Sequence, residues 1–328
     1  MTVKRSALAT AIAGCLVVGV SSPVAAAVYA GSKLDISDFR IVITAPPQDV
    51  IIGDNYTFST NADATLNGAT IGDFNQCVGG TCGVANPVIT SVASVPGAQR
   101  LAGDFTIFGP GLGNSYSTAA SEITTSELTS AGADPSRVQQ ISEVSVVGTG
   151  AGAADTSVDS ETKLEFNFTI GQTADLLLNF TAYSFMRTFI DTLDALSFNA
   201  QVRQAFTLGL EGDGLMEGLS WTPTGANFVA GCFPGDVPAG VSCTALDGFN
   251  LNSSFGLPAG VPPLDTERER TGDFALSILG LGAGNYTLTI GATTFASVRQ
   301  EVPEPGVLAL FGLGLAFLGF AANRRRFS

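Results

Sequence analysis

The chain has 328 residues, of which 45% are hydrophobic and 13% charged, and its formal net charge at pH 7 is −14. It contains no histidine, so the sequence excludes Ser-His-Asp and Cys-His catalysis and the usual histidine-ligated zinc enzymes. A chain this acidic repels nucleic acid, and no nucleic-acid partner is expected.

The N-terminal end, residues 1–27, predicts a cleavable signal peptide. Two basic residues, Lys4 and Arg5, precede an apolar stretch and then a run of small residues. Signal peptidase is expected to cut after Ala26 or Ala27, following export through the Sec translocon.

Two alternatives remain open at this end. The first is cleavage after Ala30. The second is a lipoprotein, because residues 12–15 resemble a lipoprotein box whose product carries a diacylated Cys15. The apolar lead to that box is short, and cutting there leaves an apolar N-terminus.

Residues 28–301 are predicted to form the exported body, which is long enough to bury a hydrophobic core. The two ends hold five of the 15 basic residues and one of the 29 acidic residues, Glu304, so ten basic and 28 acidic residues remain, a net charge of −18. The low Lys and Arg content and the 39 glycines of the chain favour a secreted all-β protein.

The first half of this body predicts three strands, over Lys33–Thr44, Asn55–Thr60 and Asp104–Phe108. A Gly-rich loop is expected over Gly72–Pro87. The segment Ser121–Gln140 is the best helical candidate, although its Thr, Ser and Gly content makes the predicted helix weak.

In the second half, strict apolar alternation over Lys163–Ile170 predicts a half-buried strand. The segment Gly171–Ala174 is predicted to turn the chain into a returning strand over Asp175–Met186, which gives a hairpin. Further elements are expected as strands over Gln201–Leu208 and Phe249–Phe255, a closing hairpin over Asp273–Leu281 and Asn285–Ile290, and an edge over Thr294–Gln300.

Strands about ten residues apart, with Gly-rich turns between them, predict a mainly β fold of the β-sandwich type. A jelly roll is one topology that fits this pattern. The Gly-rich segment 148–154 either divides the body into two domains or forms one long loop.

Four cysteines remain once the signal peptide is removed. An even number in an exported protein predicts disulfides. The pairings Cys77–Cys82 and Cys232–Cys243 are favoured because each closes a Gly-rich loop. A zinc site with four thiolates is the alternative, but its ligands normally show two-residue spacings.

The candidate chemistry of the body rests on carboxylates and one tryptophan. Glu211, Asp213 and Glu217 lie in a Gly-rich stretch whose carboxylate oxygens could bind calcium; an acidic surface loop is the alternative, and no other cofactor is expected. A carboxylate pair for glycoside hydrolysis is a further hypothesis. Trp221 is either a sugar-stacking platform or a core residue.

The C-terminal end, residues 302–328, has three parts in a fixed order. Pro303-Glu304-Pro305 resists helix formation and stays extended. Residues 306–322 predict an apolar helix of roughly 25 Å, near the lower limit for crossing a bilayer core of about 30 Å. The basic tail 323–328 contains Arg324-Arg325-Arg326, which stay in the cytoplasm by the positive-inside rule.

This order of motif, helix and arginines resembles the PEP-CTERM sorting signal of bacterial exported proteins. The resemblance implies that an exosortase, a membrane transpeptidase-like enzyme, recognises residues 303–305 while the helix 306–322 holds the chain in the inner membrane. It also implies release or re-attachment at the surface of a Gram-negative cell that makes exopolysaccharide. An ordinary tail anchor is the alternative, but the Pro-Glu-Pro has no role in a plain anchor.

The resulting hypothesis is a non-enzymatic cell-surface or extracellular-matrix protein that an exosortase sorts and that associates with exopolysaccharide or biofilm. A lectin-like carbohydrate-binding surface module is the first alternative. A secreted glycoside hydrolase is the second.

Overall fold

The structure is a computed structural model that describes residues 26–44, 50–78, 85–93, 99–110, 114–124, 136–148, 153–191, 197–232, 236–257 and 264–301. Within these ranges no helix is long and apolar enough to cross a membrane. Most of the predicted signal peptide and all of the predicted sorting segment 302–328 lie outside the described residues.

Fifteen strands account for most of the described part of the chain. In chain order they are β1 (Ala26–Thr44), β2 (Val50–Leu66), β3 (Ala69–Val78), β4 (Ala85–Ala93), β5 (Tyr116–Thr124), β6 (Ser136–Gly148), β7 (Ala153–Ile170), β8 (Ala174–Ile190), β9 (Ser197–Gly212), β10 (Leu219–Trp221), β11 (Val229–Ala230), β12 (Ser242–Asp247), β13 (Ser254–Leu257), β14 (Leu264–Leu281) and β15 (Gly284–Glu301).

The strands form two antiparallel sheets. Sheet A has the order β12-β14-β8-β1-β6-β5-β4, and sheet B has the order β11-β10-β9-β15-β7-β2-β3, with β13 beside β9. Side chains from both sheets meet in one hydrophobic core. The predicted mainly β class is therefore confirmed, and the face-to-face layers agree with the predicted sandwich.

Alternation along the strands explains the two layers. Buried and more exposed positions alternate along most of β8, with Leu176, Leu178 and Phe180 on the buried face. The alternation predicted for Lys163–Ile170 is confirmed inside β7. The longest strand, β1, has 19 residues, or roughly 60 Å at about 3.3 Å per residue, so each layer is long in the strand direction.

Both expected hairpins prove to be connections between the sheets. Strand β7 lies in sheet B and β8 in sheet A, and β14 and β15 are likewise divided between the sheets. The predicted edge over Thr294–Gln300 is also wrong, because it continues β15 between β9 and β7. An alternating apolar face looks the same whether a strand pairs with the next strand or packs against it across the core.

Four local predictions are corrected. The expected loop over Gly72–Pro87 contains most of β3 and the start of β4. The expected helix over Ser121–Gln140 contains the end of β5 and the start of β6, which agrees with its Thr, Ser and Ile content. The segment Asp104–Phe108 is irregular rather than a strand, and only the last two residues of Phe249–Phe255 lie in a strand.

The segment 148–154 connects the layers, because β6 before it lies in sheet A and β7 after it lies in sheet B. Strands from either side of this segment pair directly, β1 with β8 and β2 with β7. Because strands from before and after this segment pair with each other, the structure favours a connection within one domain over a boundary between two domains.

A polar layer crosses the core between two apolar parts. One apolar part contains Ala30 of β1 and Ala296 of β15, and the other contains Leu34 of β1 and Ala292 of β15. The buried residues Ser32 and Thr294 lie between these two parts on their strands. Hydrogen bonds join the two sheets within this layer: Ser121 Oγ to Thr162 Oγ1 at 2.6 Å, Ser142 Oγ to Thr294 Oγ1 at 2.9 Å, Gln140 Nε2 to the Ala292 carbonyl at 2.8 Å and Ser184 Oγ to Gln204 Oε1 at 2.5 Å.

Candidate functional site

The predicted sorting segment begins where the last strand ends. Strand β15 pairs with β7 and β9 as far as Glu301, which is opposite Ala153 and Ser197. The Pro-Glu-Pro at 303–305 is therefore two residues beyond a central strand of sheet B. The motif, the predicted helix 306–322 and the arginines 324–326 lie outside the described residues.

The other processing end also meets a central strand. Strand β1 begins at Ala26 and lies between β6 and β8. The carbonyl of Ala27 accepts a hydrogen bond from the amide of Asp191 at 3.0 Å. Val28 and Tyr29 are completely buried, so core residues follow directly after the predicted cleavage positions.

The acidic loop after β9 closes the end of sheet B. The carboxylate of Asp213 accepts hydrogen bonds from the backbone amide and the side-chain amide of Asn285, both at 3.1 Å. Glu211, Asp213 and Glu217 do not form a group that could hold a metal ion, and the described ranges contain no other such group of three His, Cys, Asp or Glu residues. Glu211 lies within β9, whereas Asp213 and Glu217 follow that strand; calcium binding by these residues stays a prediction.

Trp221 belongs to the core, and its interpretation as a sugar-stacking platform is wrong. Its exposed fraction is 0%, and its ring lies 6.0 Å from that of Phe180 and 6.1 Å from that of Phe206. A ring without exposed surface cannot stack on a sugar, so the core alternative is confirmed.

Asp247 organises the loop that follows Trp221, and no sequence motif pointed to it. Its Oδ1 accepts the indole N–H of Trp221 at 2.9 Å, and its Oδ2 accepts three backbone amides, those of Thr224, Gly225 and Asn227. The nearest sequence signal is the turn-forming composition of residues 222–227, which indicates a loop but not its carboxylate partner.

One of the two predicted disulfides is present, between Cys232 and Cys243, with a Cα–Cα distance of 6.1 Å. This bond removes both cysteines from any zinc site. Cys77 is disulfide-bonded as well, but its predicted partner, Cys82, lies outside the described residues.

A buried ion pair, also unforeseen from the sequence, fixes the segment 99–110 on the outer face of sheet A. Glu143 pairs with Arg100 and accepts hydrogen bonds from the Tyr29 hydroxyl at 2.7 Å and from the amides of Phe108 and Gly109. Burial, and then the neighbouring Glu143 carboxylate, raise the pKa of Tyr29 far above its ordinary value. Since Glu143 binds groups from both β1 and the segment 99–110, this cluster acts as structural support.

The two sheets and the segment after β15 place this protein in a structural class: a mainly β body followed directly by a C-terminal sorting segment. Residues 301–326 match the family model of the PEP-CTERM protein-sorting motif, so the chain carries this motif. The motif indicates export, with exosortase as the sorting partner. No curated protein and no solved structure matches the chain.

Proposed function

We propose that this protein is exported through the Sec translocon, held briefly in the inner membrane, and sorted by an exosortase to the cell surface or extracellular matrix. There it has a structural, non-enzymatic role in association with exopolysaccharide. The single observation that carries this proposal is the sorting motif at residues 301–326, which directly follows strand β15.

Both ends of the body support this sequence of events. The predicted signal-peptidase sites after Ala26 and Ala27 lie at the start of β1, and the Pro-Glu-Pro motif lies beyond Glu301 at the end of β15. Cutting at both places leaves nearly all of the fifteen strands intact. The disulfide between Cys232 and Cys243 fits an oxidising destination outside the cytoplasm.

The acidic surface supports a dispersed extracellular protein rather than one that binds anionic lipid directly, since the expected body carries a net charge of −18 from ten basic and 28 acidic residues. The lectin-like alternative loses its candidate stacking residue, because Trp221 is buried, and no other observation named so far supports it. A glycoside hydrolase stays a prediction that no observation favours.

The test is to replace residues 303–305 by alanines in the native cell and to follow the protein by fractionation and mass spectrometry. We expect the variant to remain unprocessed in the inner membrane, because the exosortase no longer recognises it. The control replaces Pro46 and Pro47 by alanines, which removes the same number of prolines at a position outside the sorting motif. Normal release of the 303–305 variant, or a mature surface protein that retains Ser328, would contradict the proposal.

A further inference from the structure

A cavity of about 200 Å³ lies at the edge of the sandwich, between strands β8 and β14 of sheet A and the segment that joins β12 to β13. The register of β8 and β14 places Arg268 beside Met186 and Arg270 beside Ser184. The six lining residues are Ser184, Met186, Asn250, Ser253, Arg268 and Arg270. None of them is acidic.

Alternation along β14 separates its charges by sign. Asp265 and Glu267 point to the outer face, where both form ion pairs with Arg187. Arg268 and Arg270 alternate with these acids and face the cavity instead. Within the described ranges neither of these two arginines forms an ion pair, so both guanidinium groups are available to a ligand.

The guanidinium of Arg268 is held by an aromatic neighbour, since it lies 4.7 Å from the ring centroid of Phe255. This contact orients the fork without using its N–H groups. The cavity therefore contains one oriented and one nearby guanidinium, in a body whose sequence carries ten basic and 28 acidic residues.

The remaining polar lining also presents donors. The Oδ1 atom of Asn250 accepts the backbone amide of Asn252 at 2.8 Å, which leaves the side-chain NH2 of Asn250 for a ligand. Among the residues that the structure describes, the hydroxyl of Ser253 contacts only the sulfur of Met186, at 3.8 Å. Donors on several sides, with an apolar floor at Met186, suit an oxyanion attached to a carbon framework.

The segment that carries Asn250 and Ser253 is firmly seated. Leu251 is completely buried, and the side-chain amide of Asn252 bonds to both the amide and the carbonyl of Phe206, each at 3.0 Å. Gly272 of β14 permits this close approach, because a Cβ atom there would lie 3.0 Å from the ring of the neighbouring Phe249. The donors are thus pre-organised rather than carried on a free loop.

We propose that this cavity binds the carboxylate or phosphate group of a small acidic molecule of about the size of one sugar residue. A single water needs only about 10–15 Å³ of such space, so a cavity of about 200 Å³ exceeds the needs of a bare ion. The inference does not rest on the sorting role, since it uses only the side chains of the body.

The test uses the mature protein purified from its native cell and isothermal titration with glucuronate, inorganic phosphate and, as a neutral probe, glucose. We expect glucuronate or phosphate to bind and glucose not to bind. The double variant Arg268→Gln/Arg270→Gln should lose roughly tenfold or more in affinity, because each removed guanidinium donates charge-assisted hydrogen bonds. The double variant Arg40→Gln/Lys163→Gln removes the same charge elsewhere and should bind normally.

Asn250→Asp supplies a second variant of nearly unchanged shape, which keeps the acceptor for Asn252 but turns the donor facing the cavity into a carboxylate. It should abolish binding while the thermal unfolding midpoint stays close to that of the native protein. Tighter binding of glucuronate indicates an acidic sugar, and tighter binding of phosphate indicates a phosphorylated molecule. Failure of both acidic probes to bind, or an equal loss in the Arg40/Lys163 control, would overturn the proposal.

Discussion

The indole N–H of Trp221 donates a hydrogen bond of 2.9 Å to Oδ1 of Asp247. Trp221 ends β10 of sheet B and Asp247 ends β12 of sheet A, so this bond ties the two layers together at one edge. The second oxygen of the same carboxylate fixes the loop between them through three backbone amides.

Asp247→Ala should therefore lower the free energy of unfolding by about 3 kcal/mol or more, because it leaves the indole N–H and three amides without their acceptor. The control is Asp265→Ala, which removes a half-exposed carboxylate from a surface ion pair with Arg187 and should cost less than about 1 kcal/mol. Denaturant titration measures both. Similar losses in the two variants would show that Asp247 has no special role.

The polar layer gives a second prediction, at Gln204. Its side chain accepts the Ser184 hydroxyl and donates to the carbonyls of Lys33 and Phe185, at 2.5, 2.7 and 3.0 Å. Gln204→Leu keeps the volume but leaves the hydroxyl of Ser184 buried without an acceptor, and we expect a loss of about 2 kcal/mol.

Gln201→Leu is the matched control for this position, because Gln201 is exposed on the same strand. Its effect should stay within about 0.5 kcal/mol. A stable Gln204→Leu protein would mean that the polar layer is not needed for stability.

Tyr183 predicts a loss of stability at alkaline pH. Burial, and then the nearby Glu269, raise the pKa of Tyr183 from 10.0 to about 12. The folded protein thus keeps the phenol proton over a range in which the unfolded chain releases it, so this contribution is complete below pH 10.0 and is lost as the pH rises through about 12.

The measurement for Tyr183 is the free energy of unfolding of the native protein and of Tyr183→Phe across this window. The variant should lose less stability than the native protein, although both contain Tyr29 and Tyr116, whose pKa values are raised as well. Parallel curves for the two proteins would contradict the assignment.

The start of β1 predicts the mature N-terminus. Cleavage after Ala30 would remove Val28, Tyr29 and Ala30, all of which are completely buried, together with the hydrogen bond from Tyr29 to Glu143. We therefore expect mass spectrometry of the mature protein to find Ala27 or Val28 as its first residue. A mature chain that begins at Gly31 would contradict this prediction.

Strand content could be predicted from the sequence wherever side chains alternate, as in Lys163–Ile170, because the pattern depends only on neighbours along the chain. Pairing could not be predicted, since β7 and β8 expose the same pattern to a shared core as they would within one sheet. The segment Ser121–Gln140 was misassigned because its weak helical composition hid the end of β5 and the start of β6, which pair with each other.

The candidate sites show the same limit. The Cys232–Cys243 pair and the sorting motif were predictable because their signals are local in sequence. Asp247, Glu143 and the cavity at Arg268 were not, because their partners come from separate strands. The burial of Trp221 distinguishes a core residue from a sugar-stacking platform, and a single residue in a sequence contains no information about its burial.

The position of β15 has a mechanical consequence. This strand pairs with β7 from Gly284 to Glu301 and with β9 from Tyr286 to Glu301, directly before the sorting segment in the sequence. A force that acts at Glu301 along the direction of β15 therefore loads both ladders in shear, and the two ladders share it. A body attached through a central strand therefore resists an external force better than a body attached through an edge strand. The hydrogen bonds of an edge strand that is pulled away from its sheet would break one after another.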